Sequence, residues 1–489
     1  MGSPEMSSTI AAASDQYHEY ELDQLPPELQ RDSRLYYYLS VYPGLKNMVE
    51  LDTDQPPKLP DTVQNAYIHT PYCTGVCSFC SYFLTTVSEQ DRSPINAYFE
   101  TVKSEIEQRA DQTNLDLSYL YFGGGTPSLI PNETLESFFG FLKEKRLLGN
   151  NPFGTIELHP EFFNDLSSAQ GFIDILRAHG IGRVSLGFES SDAAILESTN
   201  RRHGTYFLRE AIDFLKQNEL LVSLDLMYGL PGLTLGEWEH TLNDALSCNP
   251  DSVATYFLFV NPGTVMHTQV ARGEVALPSH KTIQTQHLMA QAVLEQHGFL
   301  ELPSDFYAKP QGDPSSFTQD SLPSDGASLP IGAGSYGFYD NTQFFNQFSL
   351  AKYRQQVEAG KSPIWRGFHF EGQQGMNRDL MFSFKNSPYI DRRLFESKYG
   401  NDPVAVFSQT FDMLCQYKLV EIDDTQRRVT LTPKGRLCVE EIAFQFQIPD
   451  LSAHIPTTAG PAERRKLDKH HFAPLYKLAT MPRDDQSGQ

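Results

Sequence analysis

The sequence is short of positive charge and of cysteine, and it has no long hydrophobic run; each shortage excludes a class of protein. Lys and Arg number 39 against 61 Asp and Glu in 489 residues, a net charge of −22. A chain that grips a phosphate backbone needs a basic stripe, none is found, and nucleic acid is not expected as a partner. Six cysteines are too few for a disulfide framework, and three of them, Cys73, Cys77 and Cys80, fall within eight residues of one another. That is the pattern of a metal or cluster site in a reducing compartment, so a cytoplasmic location is expected. The longest apolar run, Val253 to Val260, is broken by Thr255 and falls far short of the roughly 20 residues of a membrane span. The N-terminal stretch has neither the basic nor the apolar region of a secretory signal, and no membrane partner is expected. What the chain does have is 40% hydrophobic and 12% aromatic residues, a composition that folds.

From about residue 61 to about 265 short apolar runs alternate with amphipathic stretches. Strands are predicted over Asn65 to His69, Tyr119 to Phe122, Thr155 to Leu158, Arg183 to Phe188, Val222 to Met227 and Ser252 to Phe259, with helices such as Ile95 to Arg109 and Leu235 to Cys248 between them. This order implies a parallel sheet with right-handed crossovers. The fold class expected is α/β, a partial (β/α)6 TIM-like barrel with a C-terminal helical, winged-helix-like domain, and active residues belong at the C-terminal strand ends. The expected division is 1–60, a polar, irregular N-terminal extension with an aromatic stretch at Leu35 to Leu39; 61–300, the barrel; 301–374, a segment with a long loop at 309–330; 375–445, the winged-helix-like domain; and 446–489, a C-terminal extension. Cys248, Cys415 and Cys438 read as buried apolar thiols.

The residues Tyr67-Ile68-His69-Thr70-Pro71-Tyr72-Cys73-Thr74-Gly75-Val76-Cys77-Ser78-Phe79-Cys80 place three thiols at Cx3Cx2C spacing on a loop just past a strand. Three thiolates can hold a [4Fe–4S] cluster and leave one iron open for an outside ligand. On composition alone His69 could instead complete a zinc site. The second strand ends in Gly123-Gly124-Gly125-Thr126-Pro127, where a backbone free of side chains can approach a ligand. Together these two motifs resemble the radical S-adenosylmethionine (SAM) superfamily. The likeness extends through Thr155 to Pro160, Val184 to Glu189, Asn200-Arg201, Asp225 to Gly232 and Asn261 to Thr264, an ordered set similar to the branch typified by oxygen-independent coproporphyrinogen III oxidase.

The resemblance implies that Cys73, Cys77 and Cys80 hold the [4Fe–4S] cluster and that its open iron chelates SAM, whose reductive cleavage gives a 5′-deoxyadenosyl radical. It implies further that Gly123, Gly124, Gly125, Thr126 and Pro127 receive the SAM amino group and that Arg201 takes its carboxylate. Glu157, Glu189 and Asp225 would bind ribose hydroxyls or the amino group, Met227 would line the adenine slot, and Tyr67 and Tyr72 would flank cluster and SAM. Glu157 and Asp225 also have a plain reading as helix N-caps.

Within the branch, the oxidase carries a fourth cysteine where this chain has Tyr82, and the haem-chaperone group carries an HNxxYW signature where this chain has Phe345 to Leu350. The chain more resembles the class C methyltransferase and cyclopropanase group, with the haem-methylating, ring-opening group next, through Tyr38 to Pro43, Gly332 to Gly337, Asn346 and Tyr353. The first of these implies two SAM molecules, one supplying the radical and one the carbon transferred to an sp2 carbon of a natural-product substrate. Tyr256, Asp305 and Tyr336 are the candidate acids or bases. The expected partners are a conjugated aromatic or tetrapyrrole small molecule and a reductant such as flavodoxin or ferredoxin.

Overall fold

The computed structural model describes residues 7–30, 41–88, 90–201, 208–261, 263–302, 305–310, 328–448 and 451. The stretch Leu35 to Leu39, the greater part of the 309–330 loop, Pro262 and the last residues of the C-terminal extension lie outside the described residues. Strands are numbered along the chain as β1 Val49–Glu50, β2 Thr62–Thr70, β3 Tyr72–Cys73, β4 Thr85–Thr86, β5 Asn114–Gly124, β6 Leu148–Leu158, β7 Ile181–Glu189, β8 Leu221–Tyr228, β9 Ser252–Phe257, β10 Leu300–Leu302, β11 Phe306–Ala308, β12 Ser328–Ile331, β13 Tyr336–Tyr339, β14 Thr342–Asn346 and β15 Ile364–His369. The helices used below are α1 Ser8–Glu19, α2 Ser93–Ala110, α3 Asn132–Glu144, α4 Leu166–Ala178, α5 Ala193–Ser198, α6 Leu208–Gln217, α7 Leu235–Ser247, α8 Val265–Ala271 and α9 His280–Gln296.

Six strands, β2, β5, β6, β7, β8 and β9, lie side by side in chain order and all pair in parallel. The crossovers run through helices with clear start signals. Asp165 accepts the Ser167 and Ser168 amides at the head of α4, and Thr234 and Glu237 form a capping box on α7. Alternation along each strand divides the sheet into two faces. On β8, Val222, Leu224, Leu226 and Tyr228 are buried, while Asp225 and Met227 between them are only half-buried. Across the sheet Tyr67 is level with Tyr121, Tyr121 with Thr155, Thr155 with Arg183, Ser185 with Ser223, and Met227 with Tyr256. One concave face therefore collects the tyrosines and charges, and the other the aliphatic core.

The sheet has nine strands in the order β10-β11-β9-β8-β7-β6-β5-β2-β12, so it is a partial barrel. Ser328 to Pro330, expected as the end of a loop, instead form part of β12, parallel to β2, because Leu329 and Ile331 are apolar and buried there. Beyond it, β1-β15-β14-β13 form a small antiparallel sheet. Helices and a three-stranded sheet built from Tyr389–Asp391, Val420–Asp423 and Arg428–Leu431 follow.

The N-terminal segment is less irregular than its polarity suggests. Ile10, Ala13 and Tyr17, three and four apart, give α1 an apolar stripe that packs on α9 and α7, and Ser7 caps the helix. Cys415 is exposed rather than buried, since its helix, Ser408–Gln416, turns Phe411 and Leu414 to the core. No helix among the described residues is long and apolar enough to cross a membrane.

Candidate active site

The thiol loop leaves β2 at its C-terminal end and is held from several directions. The Ser78 amide donates to the Thr199 carbonyl at 2.8 Å, and the Met266 amide donates to the Ser78 carbonyl at 2.8 Å. Asn200 Nδ2 reaches the Val76 carbonyl at 2.6 Å, and Asn261 Nδ2 reaches Ser81 Oγ at 3.1 Å. Burial pushes the Cys73 and Cys80 thiols up, Cys80 to about 12. Thr126 Oγ1, 3.2 Å from Cys73 Sγ, the Tyr82 amide on Cys80, and the Arg201 charge oppose that rise. Such thiols deprotonate when a metal takes the proton's place, and soft thiolates suit iron–sulfur clusters. Three soft thiols on one loop are the donor set of an iron–sulfur cluster, and among the described residues no group of three His, Cys, Asp or Glu is spaced for a single metal ion.

His69 does not serve as a further ligand. Its Nε2 lies 2.9 Å from the Phe83 carbonyl, which can only accept, so Nε2 carries the hydrogen and Nδ1 accepts from the Tyr67 hydroxyl at 3.0 Å. Both nitrogens are engaged, burial holds the ring's pKa down to about 4, and the zinc alternative loses its fourth donor. Gly124, at φ 110°, passes so close to this ring that a Cβ would meet His69 Cε1 at 2.5 Å.

Three carboxylates and two guanidiniums line the concave face beside the loop. Glu157 accepts from the Tyr121 hydroxyl at 2.9 Å and from the Gly124 amide at 3.1 Å. Asp225 faces Ser185 Oγ, which lies 2.9 and 3.0 Å from its two oxygens. Glu189, itself at φ 63°, lies 3.3 Å from Arg201 Nη2, and that nitrogen also donates to the Gly187 carbonyl at 2.6 Å. A side chain at position 187 would collide with the guanidinium. Burial raises the pKa of all three carboxylates, and that of Asp225 to about 7, with Glu189 and Glu157 adding like-charge repulsion. Arg183 opposes this rise at Glu157 and Asp225 and stacks on Phe306 at 5.3 Å. A cationic ligand would relieve the repulsion. Arg201 Nε and Ser223 Oγ are buried without a hydrogen-bond partner among the described residues, which fits a polar ligand docking here.

The structure thus brings Cys73, Cys77, Cys80, Gly123 to Thr126, Glu157, Glu189, Arg201 and Asp225 to one end of the barrel, with Tyr67, Met227 and Tyr256 on the same concave face. Pro127 opens a short buried turn. Glu157 and Asp225 cap no helix; the sequence alternative fails because α4 and α7 bring their own caps. Two expectations are corrected. Asp305 points to the helix side, where its carboxylate meets His287 of α9 at 3.2 Å, because β11 returns antiparallel to β9. Tyr72 contributes backbone only: its carbonyl accepts the Thr126 amide at 2.7 Å, while its hydroxyl donates to the Pro94 carbonyl and its ring packs edge-on to Tyr98. Arg201 is already committed to Glu189 and Gly187, so it has its Nε edge to offer a carboxylate.

Other residues were not singled out from the sequence. Glu105 of α2, fully buried, accepts from the Gly332 amide at 2.8 Å, Tyr353 Oη at 2.6 Å and Asn346 Nδ2 at 3.2 Å, with Arg109 Nη2 at 3.5 Å. Gly332, Asn346 and Tyr353 are therefore parts of one anchor. A run of half-buried aromatic rings also leads away from the thiol loop: Phe83 meets Phe348 at 5.4 Å, Phe348 meets Phe345 at 5.3 Å and Trp365 at 5.5 Å, and Phe345 meets Tyr336 at 5.7 Å. Tyr336 in turn lies near enough to Tyr67 to raise its pKa.

Residues 67–245 match the profile of the radical SAM superfamily. The chain is 24% identical over 388 residues to a haem chaperone, HemW, of Bacillus subtilis, covering 78% of this chain and 99% of that one. It is 23% identical over 405 residues to an oxygen-independent coproporphyrinogen III oxidase of Salmonella typhimurium, covering 80% of this chain and 86% of that one. Among solved structures, coproporphyrinogen III oxidase (HemN) from Escherichia coli, described as a radical SAM enzyme, superposes with a TM-score of 0.71 at 22% identity over 85% of this chain and 99% of that one. The fold is the α/β radical SAM fold of that protein, and the superfamily's [4Fe–4S] cluster and SAM are its cofactors.

Proposed function

We propose that this member of the radical SAM superfamily acts on a planar, conjugated small molecule of the tetrapyrrole class. The observation that carries the reading is the run of aromatic rings from Phe83 beside the thiol loop through Phe348 and Phe345 to Tyr336, a surface suited to a flat π-system. The names of the relatives above, a haem chaperone and a coproporphyrinogen oxidase, favour the same class. When bound, the reduced cluster and SAM supply a carbon radical that removes a hydrogen atom from the substrate.

In this reading Cys73, Cys77 and Cys80 hold the cluster, and Arg201 beside Cys77 offsets thiolate charge. Gly123 to Pro127 present backbone to the amino-acid end of SAM, and Arg201 Nε faces its carboxylate. Glu157, Glu189 and Asp225 bind cationic and hydroxyl groups, with Met227 against adenine. Tyr256 and Tyr336 remain the residues placed to hand over a proton. The aromatic run keeps water from the reacting carbon. An electron donor such as flavodoxin or ferredoxin in the cytoplasm completes the system.

The methyl- or methylene-transferring reading, with a second SAM, rests on Tyr82 standing where the oxidase has cysteine; Tyr82 is 51% exposed beside the loop. That reading rests also on the likeness at Gly332 to Gly337, Asn346 and Tyr353, of which Gly332, Asn346 and Tyr353 have a structural part as well, since they bond Glu105. The test is anaerobic reconstitution with iron and sulfide, then dithionite, SAM and a panel of porphyrins and smaller conjugated compounds. Substrate-dependent 5′-deoxyadenosine without S-adenosylhomocysteine supports oxidative chemistry, and both products together support carbon transfer. Turnover of only non-tetrapyrrole compounds would overturn the substrate class, and the absence of any substrate-dependent product would favour a carrier.

A further inference from the structure

We infer that Arg366 is the recognition point for a carboxylate on the substrate, which rests on the reading that a flat conjugated molecule lies along the aromatic run. Arg366 sits in the middle of β15. In the small sheet it is level with Phe345 of β14, and Phe345 is level with Tyr336 of β13, so the three side chains share one face. The opposite face is filled by packing: Phe344, 2% exposed, lies level with Gly337 and Gly367, both of which leave room for it. The Arg366 face is the open one, and Tyr336 carries it towards Tyr67 in the barrel.

The guanidinium itself asks for a partner. It lies 5.6 Å from the Trp365 ring centroid, and its Nε is buried with no hydrogen-bond partner among the described residues. Its neighbour on the other side is Glu50 of β1, exposed and forming no ion pair with it among the described contacts. Arg109, Arg201 and Arg392 are paired, with Glu105, Glu189 and Asp402. A half-buried guanidinium at the end of an aromatic surface suits an anionic group in a planar, two-point contact, while the rings take the flat body. In a chain of net charge −22, a local cation of this kind is what would let an acidic substrate settle.

The test measures binding, without turnover, by equilibrium dialysis against the anaerobically reconstituted full chain. The probes are coproporphyrin III and its tetramethyl ester, together with pyrene-1-carboxylate and its amide. The acid of each pair should bind at least tenfold more tightly than its neutral partner, Arg366→Ala should erase that preference, and Arg366→Lys should restore part of it. Iron content and cluster absorbance of both variants show that the chain is intact. Equal binding of acid and neutral probe, or a preference that survives Arg366→Ala, overturns the inference while leaving a tetrapyrrole substrate standing. Arg366-dependent preference for pyrene carboxylate with no porphyrin binding keeps the carboxylate site and removes the tetrapyrrole reading. Binding of no probe removes both.

Discussion

Arg201 and Glu189 are a buried pair set between the thiol loop and the carboxylates, with side chains 14% and 11% exposed. Removing one partner leaves the other charge buried alone. Arg201→Ala is expected to destabilise the cluster-free chain by about 3–5 kcal/mol at neutral pH, and by less in acid, as the Glu189 carboxyl, held above its ordinary range by burial, takes up a proton. Urea unfolding at neutral and acid pH checks this; an equal loss at both would mean that the ion pair is not the cause. Asp225 gives a second expectation. Its folded-state pKa of about 7 lies above the ordinary 3.8, so the folded chain holds the proton more tightly than the unfolded one. Its contribution to stability is full below the ordinary value and is lost as pH rises through about 7. Asp225→Asn should flatten the decline in stability between about pH 4 and 7, by at most ~4 kcal/mol, while the raised Glu157 and Glu189 keep some of the slope. The cysteine and glycine motifs could be read in the sequence because a short loop fixes its ligands locally. Arg366 could be named from the sequence as an arginine that would suit an anionic substrate, but its place on the open face could not, since that is assembled by register from three strands that share no motif.

At the scale of elements, Glu105 joins α2 to the turn before β13, to β14 and to the helix carrying Tyr353. Glu105→Ala should orphan several buried donors and cost on the order of 3–5 kcal/mol. Glu105→Gln, which keeps one acceptor oxygen, should cost less, and denaturant midpoints separate the two. A loss confined to activity, with unchanged stability, would instead make Glu105 a participant in the site. The parallel strands were legible because a two-residue period and helix caps both mark them. The position of Asp305 was not, because a three-residue strand returning antiparallel decides which face it joins, and so short a run has no period to read. The α1 stripe was masked by the polar residues around Ile10, Ala13 and Tyr17.

At the scale of the molecule, distant segments are tied together. Gln445 Nε2 donates to the Glu28 carbonyl and the Ile448 amide to the Tyr42 hydroxyl, while Gln284 of α9 reaches the Leu437 carbonyl and Arg436 meets Glu301. The barrel and the 375–445 segment are therefore expected to unfold in a single calorimetric transition, and two resolved transitions would contradict the shared core. Deleting residues 1–20 strips Ile10, Ala13 and Tyr17 from α9 and should lower stability by on the order of 4 kcal/mol, read from thermal melts of the truncated and full chains.

The tethers on the thiol loop bear on when iron can be taken up. Thr199, Asn200, Asn261 and Met266 come from chain far beyond the cysteines, following β7 and β9, so the folded sheet holds the loop in place. The socket is expected to stand without iron, held by these contacts rather than by the cluster. Protein stripped by a chelator should keep its circular dichroism and accept iron and sulfide again, so that filling the site need not keep pace with synthesis of the chain.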